Sequence, residues 1–137
     1  MSSEEELAAW LREQVEARKR AASPKVIRSR WHVDAFCWAA GTGILDANQE
    51  SVAVAKGGYV ADHIAANDPE FVIAQCEADL AILDDHAKLE GSIRCRRCDP
   101  DSDMDSSVAY YPCRTVRLLG YGYRFRSGYR PEWAPQD

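Results

Sequence analysis

Three cysteines and one histidine in the second half of the chain have the types and spacing of a metal site. Cys95 and Cys98 form a Cys-x-x-Cys pair within "IRCRRCDP", and Cys113 follows in "YPCRTVRLLG". A two-residue gap lets both thiolates of one turn face a common point. That is the geometry of half a tetrahedral zinc site, which takes four sulfur or nitrogen ligands. Cys113 opens an expected helix. There the free backbone N–H groups and the helix dipole favour a thiolate. The best fourth candidate is His86, nine residues before Cys95 at the end of a long apolar-periodic segment. The expected site is His86, Cys95, Cys98 and Cys113 around Zn2+, against the plain alternative of a surface histidine at a helix end.

Other chemistry for these thiols fits less well. A redox dithiol belongs at a helix start after a strand, whereas Cys95 follows a helix and "GSIR". A disulfide framework suits an even cysteine count and an oxidising compartment. This chain has five cysteines and begins "MSSEEELAAW", with no apolar signal region. No apolar run reaches bilayer-spanning length. A cytoplasmic protein is expected, and there paired cysteines usually mean metal or catalysis.

The remaining candidates carry little. Cys76 lies in an apolar stripe and reads as core, as does Cys37 in a strand rich in Trp and Phe. A Cys37–His32 nucleophile pair would place the two on opposite faces of a regular strand. His63 has no evident partner beyond the adjacent Asp62. "DPDSDMD" resembles a calcium loop, but Ser106 stands where glycine is needed and Pro112 where glutamate is needed. Phosphate-binding loops, dinucleotide fingerprints, serine elbows and His-Glu-x-x-His are absent from the sequence.

The elements that must position the metal ligands are legible in outline. At 137 residues, with 46% hydrophobic and 28% charged positions, a single α+β domain with a real core is expected. Ser3, three glutamates and the Leu7–Leu11–Val15 spacing predict a helix over 4–21, stopped at Ser23-Pro24. Residues 25–56 read as a strand and hairpin region, with "GTG" and "DANQE" as turns and "SVAVAK" as a short strand. "GYVADHIAAN" reads as a short helix with Val60, Ile64 and Ala65 inward. Asp68-Pro69-Glu70 restarts a helix expected over 69–89. Its buried stripe would be Ile73, Cys76, Leu80, Leu83 and Ala87. This long helix is expected to pack on a small antiparallel sheet. Residues 91–137 read as a zinc knuckle, a short helix broken by Gly120 and Gly122, and an irregular aromatic tail.

Charge is unevenly spread. Residues 31–93 hold eleven acids against Lys56 and Lys88, while residues 94–130 hold eight arginines and no lysine. The ordinary reading is a solvated surface. The functional one is an arginine face for an anionic partner, made by Arg94, Arg96, Arg97, Arg114 and Arg117.

Taken together, these motifs resemble an uncharacterised family of small actinobacterial and actinophage proteins, a domain of unknown function. The matching residues are "AASP" at 21–24, Trp31 and Val33, "HIAANDPEFV" at 63–72, and "ILDDH" ending at His86. Cys95, Cys98, "YPCRTVRLL" and "GYRPEW" complete the set. The resemblance covers nearly the whole chain, most specifically its last third. Two departures stand out. "KVIRSR" separates Pro24 from Trp31, and Arg126-Ser127 occupies the place of a family histidine, which favours His86 as the ligand. The resemblance implies a phage or prophage origin and a metal site, but no activity. The expected function is a non-enzymatic accessory protein that binds a host or phage protein through exposed tail aromatics. Nucleic-acid binding by the Arg/aromatic end is the alternative, and a metalloenzyme comes third.

Overall fold

The computed structural model describes residues 3–23, 30–38, 41–98 and 110–136, without the side chains of 4 and 35–38. Expectations for Pro24, "KVIRSR" up to residue 29, the acidic stretch 99–105 and the Cys37 side chain lie outside the described residues. The fold is α+β: four α-helices and a three-stranded antiparallel sheet, among the described residues. The chain divides into two compact units. One holds Met1–Ala17 and Glu77–Asp137, the other Arg18–Cys76.

The second unit is a meander of β1 (His32–Trp38), β2 (Gly41–Leu45) and β3 (Ser51–Ala55), in the order β1-β2-β3. "GTG" is therefore not a turn but the start of β2. Gly41 sits at φ +139°, and a Cβ there would lie 2.2 Å from the Ala55 carbonyl oxygen. Only glycine fits that backbone approach. The β2–β3 turn is organised by Asp46, whose carboxylate accepts from the Asn48 and Glu50 N–H groups at 2.8 and 3.0 Å. This is the local bonding that suits aspartate to turns.

The helix sharing a core with this sheet is α2 (Gly58–Ala66). Its Ala61 and Ala65 pack with Ile44 and Ala55, joined by Trp31, Val33, Val52, Ala53 and Ile64. Val60 is half exposed, so small alanines face the sheet and the larger side chain turns out. Next comes α3 (Pro69–Asp85). The fully buried Asp68 caps it by accepting the Phe71 N–H at 2.8 Å, and is neutralised by Arg30 at 2.8 Å.

The first unit is built on the start of α1 (Ser3–Ala22), where Leu7, Leu11 and Val15 are fully buried. Against them lies α4 (Arg114–Gly122), with Val116 and Gly120 inward. Gly120 does not break this helix. It is a close-approach position, where a Cβ would sit 3.0 Å from Leu7 Cδ1. The tail is likewise packed. Trp133 is buried in a single 3-10 turn (Pro131–Trp133), and its ring lies 5.4 Å from that of Trp10 and 5.8 Å from that of Tyr129. The indole N–H groups of Trp10 and Trp133 donate to the Ser127 and Ser3 carbonyls, each at 3.1 Å.

The expected stripe of α3 holds at Ile73, Cys76 and Leu83 but not at its other two positions: Ala87 lies beyond the helix end and is half-buried. Leu80 is half-buried, and Asp79 takes the inner position instead. The Tyr123 hydroxyl donates to Asp79 Oδ2 at 2.8 Å. That bond is what makes a carboxylate tolerable there.

Candidate metal centre

The four ligand candidates are delivered by three local structures, Cys98 lying in the turn just after the second. The long helix ends at Asp85, four residues sooner than its periodicity suggests. His86 is the first residue beyond it, its N–H still bonded to the Ile82 carbonyl at 2.9 Å. Residues 87–96 then double back as a tight ribbon. The Leu89 N–H donates to the Arg94 carbonyl and the Arg96 N–H to that of Ala87, both at 2.9 Å, and Gly91 turns the corner at φ +70°. The ribbon pairs Lys88 with Cys95, which sets Cys95 beside the chain that has just left His86. A third segment joins where the Tyr111 N–H bonds to the Ile93 carbonyl at 2.8 Å. That places Cys113 at the N-cap of α4, with extended backbone and its side chain making no cap bond. The thiol is thereby left to point elsewhere.

It points at His86. The imidazole Nδ1 lies 3.6 Å from Cys95 Sγ, 3.4 Å from Cys98 Sγ and 3.4 Å from Cys113 Sγ. All four donor atoms lie within 4.8 Å of one another. Zinc–sulfur and zinc–nitrogen bonds of about 2.3 and 2.1 Å at tetrahedral angles separate a nitrogen from a sulfur ligand by about 3.6 Å. The imidazole nitrogen therefore stands at tetrahedral-edge distance from each sulfur. The cluster is sized for one ion. A two-iron centre divides its ligands between two metals and needs a wider set.

Burial within the cluster is graded. Cys95 and Cys113 are buried, His86 is half-buried, and Cys98 is exposed. With no cation bound, desolvation of the thiol pushes Cys98 up to about 12. Hydrogen bonds with Cys95 and Cys113 and the charge of those thiols add to the shift. Three thiolates crowded at one point repel each other, and a divalent cation removes that repulsion.

The arginines singled out from sequence have mostly internal work. Arg96 donates to the Asp84 carbonyl, and Arg97 pairs with Asp85 at 3.4 Å. Arg117 donates to the Pro112 and Glu132 carbonyls at 3.3 Å, and Arg114 to that of Gln136 at 3.0 Å. The Arg94 backbone is part of the ribbon. These side chains brace the segments that carry the ligands, a role that charge counting does not reveal. The tail aromatics expected to be exposed are divided. Tyr123 and Trp133 are buried, whereas Tyr121 is 41% and Phe125 87% exposed. His63 is exposed, and Cys76 is buried as its place in the apolar stripe suggests.

Comparison with known proteins bears on this arrangement in one respect. The chain belongs to a family of unknown function, DUF6221, whose model matches residues 4–135. No curated protein and no solved structure matches it. No helix among the described residues is long and apolar enough to cross a membrane.

Proposed function

We propose that this protein is a non-enzymatic binding module whose C-terminal part is organised by one structural zinc ion on His86, Cys95, Cys98 and Cys113. The observation that carries the reading is the equidistance of His86 Nδ1 from three sulfurs, at 3.4 to 3.6 Å. Three thiolates and an imidazole are a soft, borderline set that suits zinc over magnesium or calcium. Four protein donors fill a tetrahedron, and a catalytic zinc keeps one position open. That argues for a structural ion. Zinc would tie the end of α3, the ribbon and the N-terminus of α4 together at one point. The surface that α4 presents would then depend on the metal.

The resemblance in sequence to small actinobacterial and actinophage proteins supports an accessory role in that setting, in a reducing cytoplasm where the thiols stay available. A host or phage macromolecule is the partner class in this reading. The test is cobalt substitution. A Cys3His site should give the strong visible absorption of tetrahedral cobalt together with thiolate charge transfer. A weak octahedral spectrum would contradict the ligand set.

A further inference from the structure

The outer face of α4 carries a feature that the metal centre does not use. Leu118, Tyr121 and Phe125 are exposed and follow Arg114 at spacings of four, three and four. One helical face thus continues past Gly122 into the turns where the Arg124 N–H bonds to the Tyr121 carbonyl and the Arg126 N–H to that of Tyr123. The Arg124 guanidinium lies over both rings, 4.3 Å from the Tyr121 centroid and 4.4 Å from that of Phe125. Its Nη1 also donates to the Tyr121 carbonyl at 3.0 Å. Arginine here is stacked and tethered before any partner arrives, so little side-chain freedom remains to be lost on binding.

We infer that the Tyr121–Arg124–Phe125 stack is a docking platform for single-stranded nucleic acid. It rests on the reading of zinc as the anchor of α4. Three observations favour this occupant. Phe125 offers an almost bare ring face beside the exposed Tyr121 and Leu118, a surface that suits a flat base. A guanidinium held against two rings extends the same stack and keeps N–H groups for phosphate. The charge around it is complementary to a polyanion: residues 110–136 hold five arginines against the single acid Glu132, Arg130 is paired with Glu6, and the bonds of Arg114, Arg117 and Arg124 to carbonyls leave their charge in place. The chain as a whole carries −5, so recognition depends on short-range stacking more than on long-range attraction. A duplex, with its bases already stacked, is a poor match.

The experiment is fluorescence anisotropy of zinc-loaded protein with labelled mixed-sequence 20-nucleotide DNA and RNA single strands, a duplex and a poly-glutamate peptide, at low and moderate salt. Phe125→Ala should weaken single-strand binding roughly 5- to 150-fold, the range for loss of one stacked base. Arg124→Lys should weaken it too, although charge is kept. Zinc content and circular dichroism should stay unchanged in both variants, because the side chains removed are exposed. Preference between the DNA and RNA arms identifies the natural strand. The inference is overturned by a zinc-loaded protein that binds neither strand, by binding equal for duplex and single strand, or by binding indifferent to both substitutions. Capture of poly-glutamate through these residues without either strand would also overturn it, in favour of an acidic protein partner. Loss of zinc in the parent protein would instead sink the structural-zinc reading, so the two failures are distinguishable.

Discussion

His86 Nδ1 lies 3.4 Å from the sulfur of Cys113, a residue 27 positions further along the chain. The ribbon at 87–96 and the Tyr111–Ile93 backbone bond bring the two segments side by side, and a shared ion would lock them together. Removing the metal should therefore loosen a defined region. Hydrogen exchange after chelation is expected to show lost amide protection at 87–96 and 113–117. Amides of β2 and β3 should keep theirs, since their core of Ile44, Ala55, Ala61 and Ala65 contains no ligand. Uniform loss across the chain would contradict a local role.

The ligands should differ in weight. Cys98→Ser removes a thiolate and its charge, whereas His86→Ala removes a neutral donor whose place water can take. Zinc retention in a chelator competition is expected to fall more for Cys98→Ser than for His86→Ala. The reverse order would mean that Cys98, the exposed member, is not a ligand.

The pH dependence follows from Cys98, whose thiol rises from 9.0 to about 12 in the metal-free fold, first through desolvation and then through its two sulfur neighbours. Between those values the unfolded chain has lost a proton that the folded chain still holds. Stability of the metal-free protein is thus fully present below about pH 9 and should decline as pH rises from there. Metal reverses the sense, because binding requires thiolates and protons compete with it. Apparent zinc affinity should fall on acidification. Denaturant midpoints of both forms across pH would check this. A metal-free midpoint that rose above pH 9 would contradict it.

The buried bond between the Tyr123 hydroxyl and Asp79 is a separate test of the core. Tyr123→Phe should cost roughly 1–3 kcal/mol in urea denaturation, because a buried carboxylate loses a donor. A change below about half a kcal/mol would mean that water replaces the hydroxyl readily.

Gly128 probes the packing of the tail. It sits at φ +88°, and a Cβ there would lie 2.8 Å from Trp10 Nε1. Gly128→Ala is expected to cost about 1–3 kcal/mol from backbone strain and the displaced ring. Tryptophan emission should shift to the red as Trp10 leaves Tyr129 and Trp133. An unchanged spectrum and midpoint would show the tail to be loosely held.

What was legible in the sequence is what lies close in the chain or repeats with a period. Cys95-x-x-Cys98, Pro112-Cys113 and a histidine at a helix end name the four side chains that the fold brings together. Leu7, Leu11 and Val15 declare their buried face by spacing alone. The rest depends on distant partners. Asp79 is inward because Tyr123, 44 residues away, supplies a donor. "GTG" is strand because Thr42 and Gly43 pair with Ala55 and Val54 of β3, and glycine alone fits beside the Ala55 carbonyl at position 41. The tail packs because Ser3 and Trp10 offer it a carbonyl and a ring. Arginines counted as a recognition face are largely spent on carbonyls of their own chain, and a count cannot show that. Tyr121, Arg124 and Phe125 were all visible in sequence, but their stack exists only once the chain turns after Gly122.

The most direct measurement is metal content. Protein purified without added metal and without chelator should carry close to one equivalent of zinc by elemental analysis, and a variant lacking Cys95, Cys98 and Cys113 should carry none. A well-folded parent protein free of any transition metal, and unchanged in stability when zinc is supplied, would contradict the account at its centre.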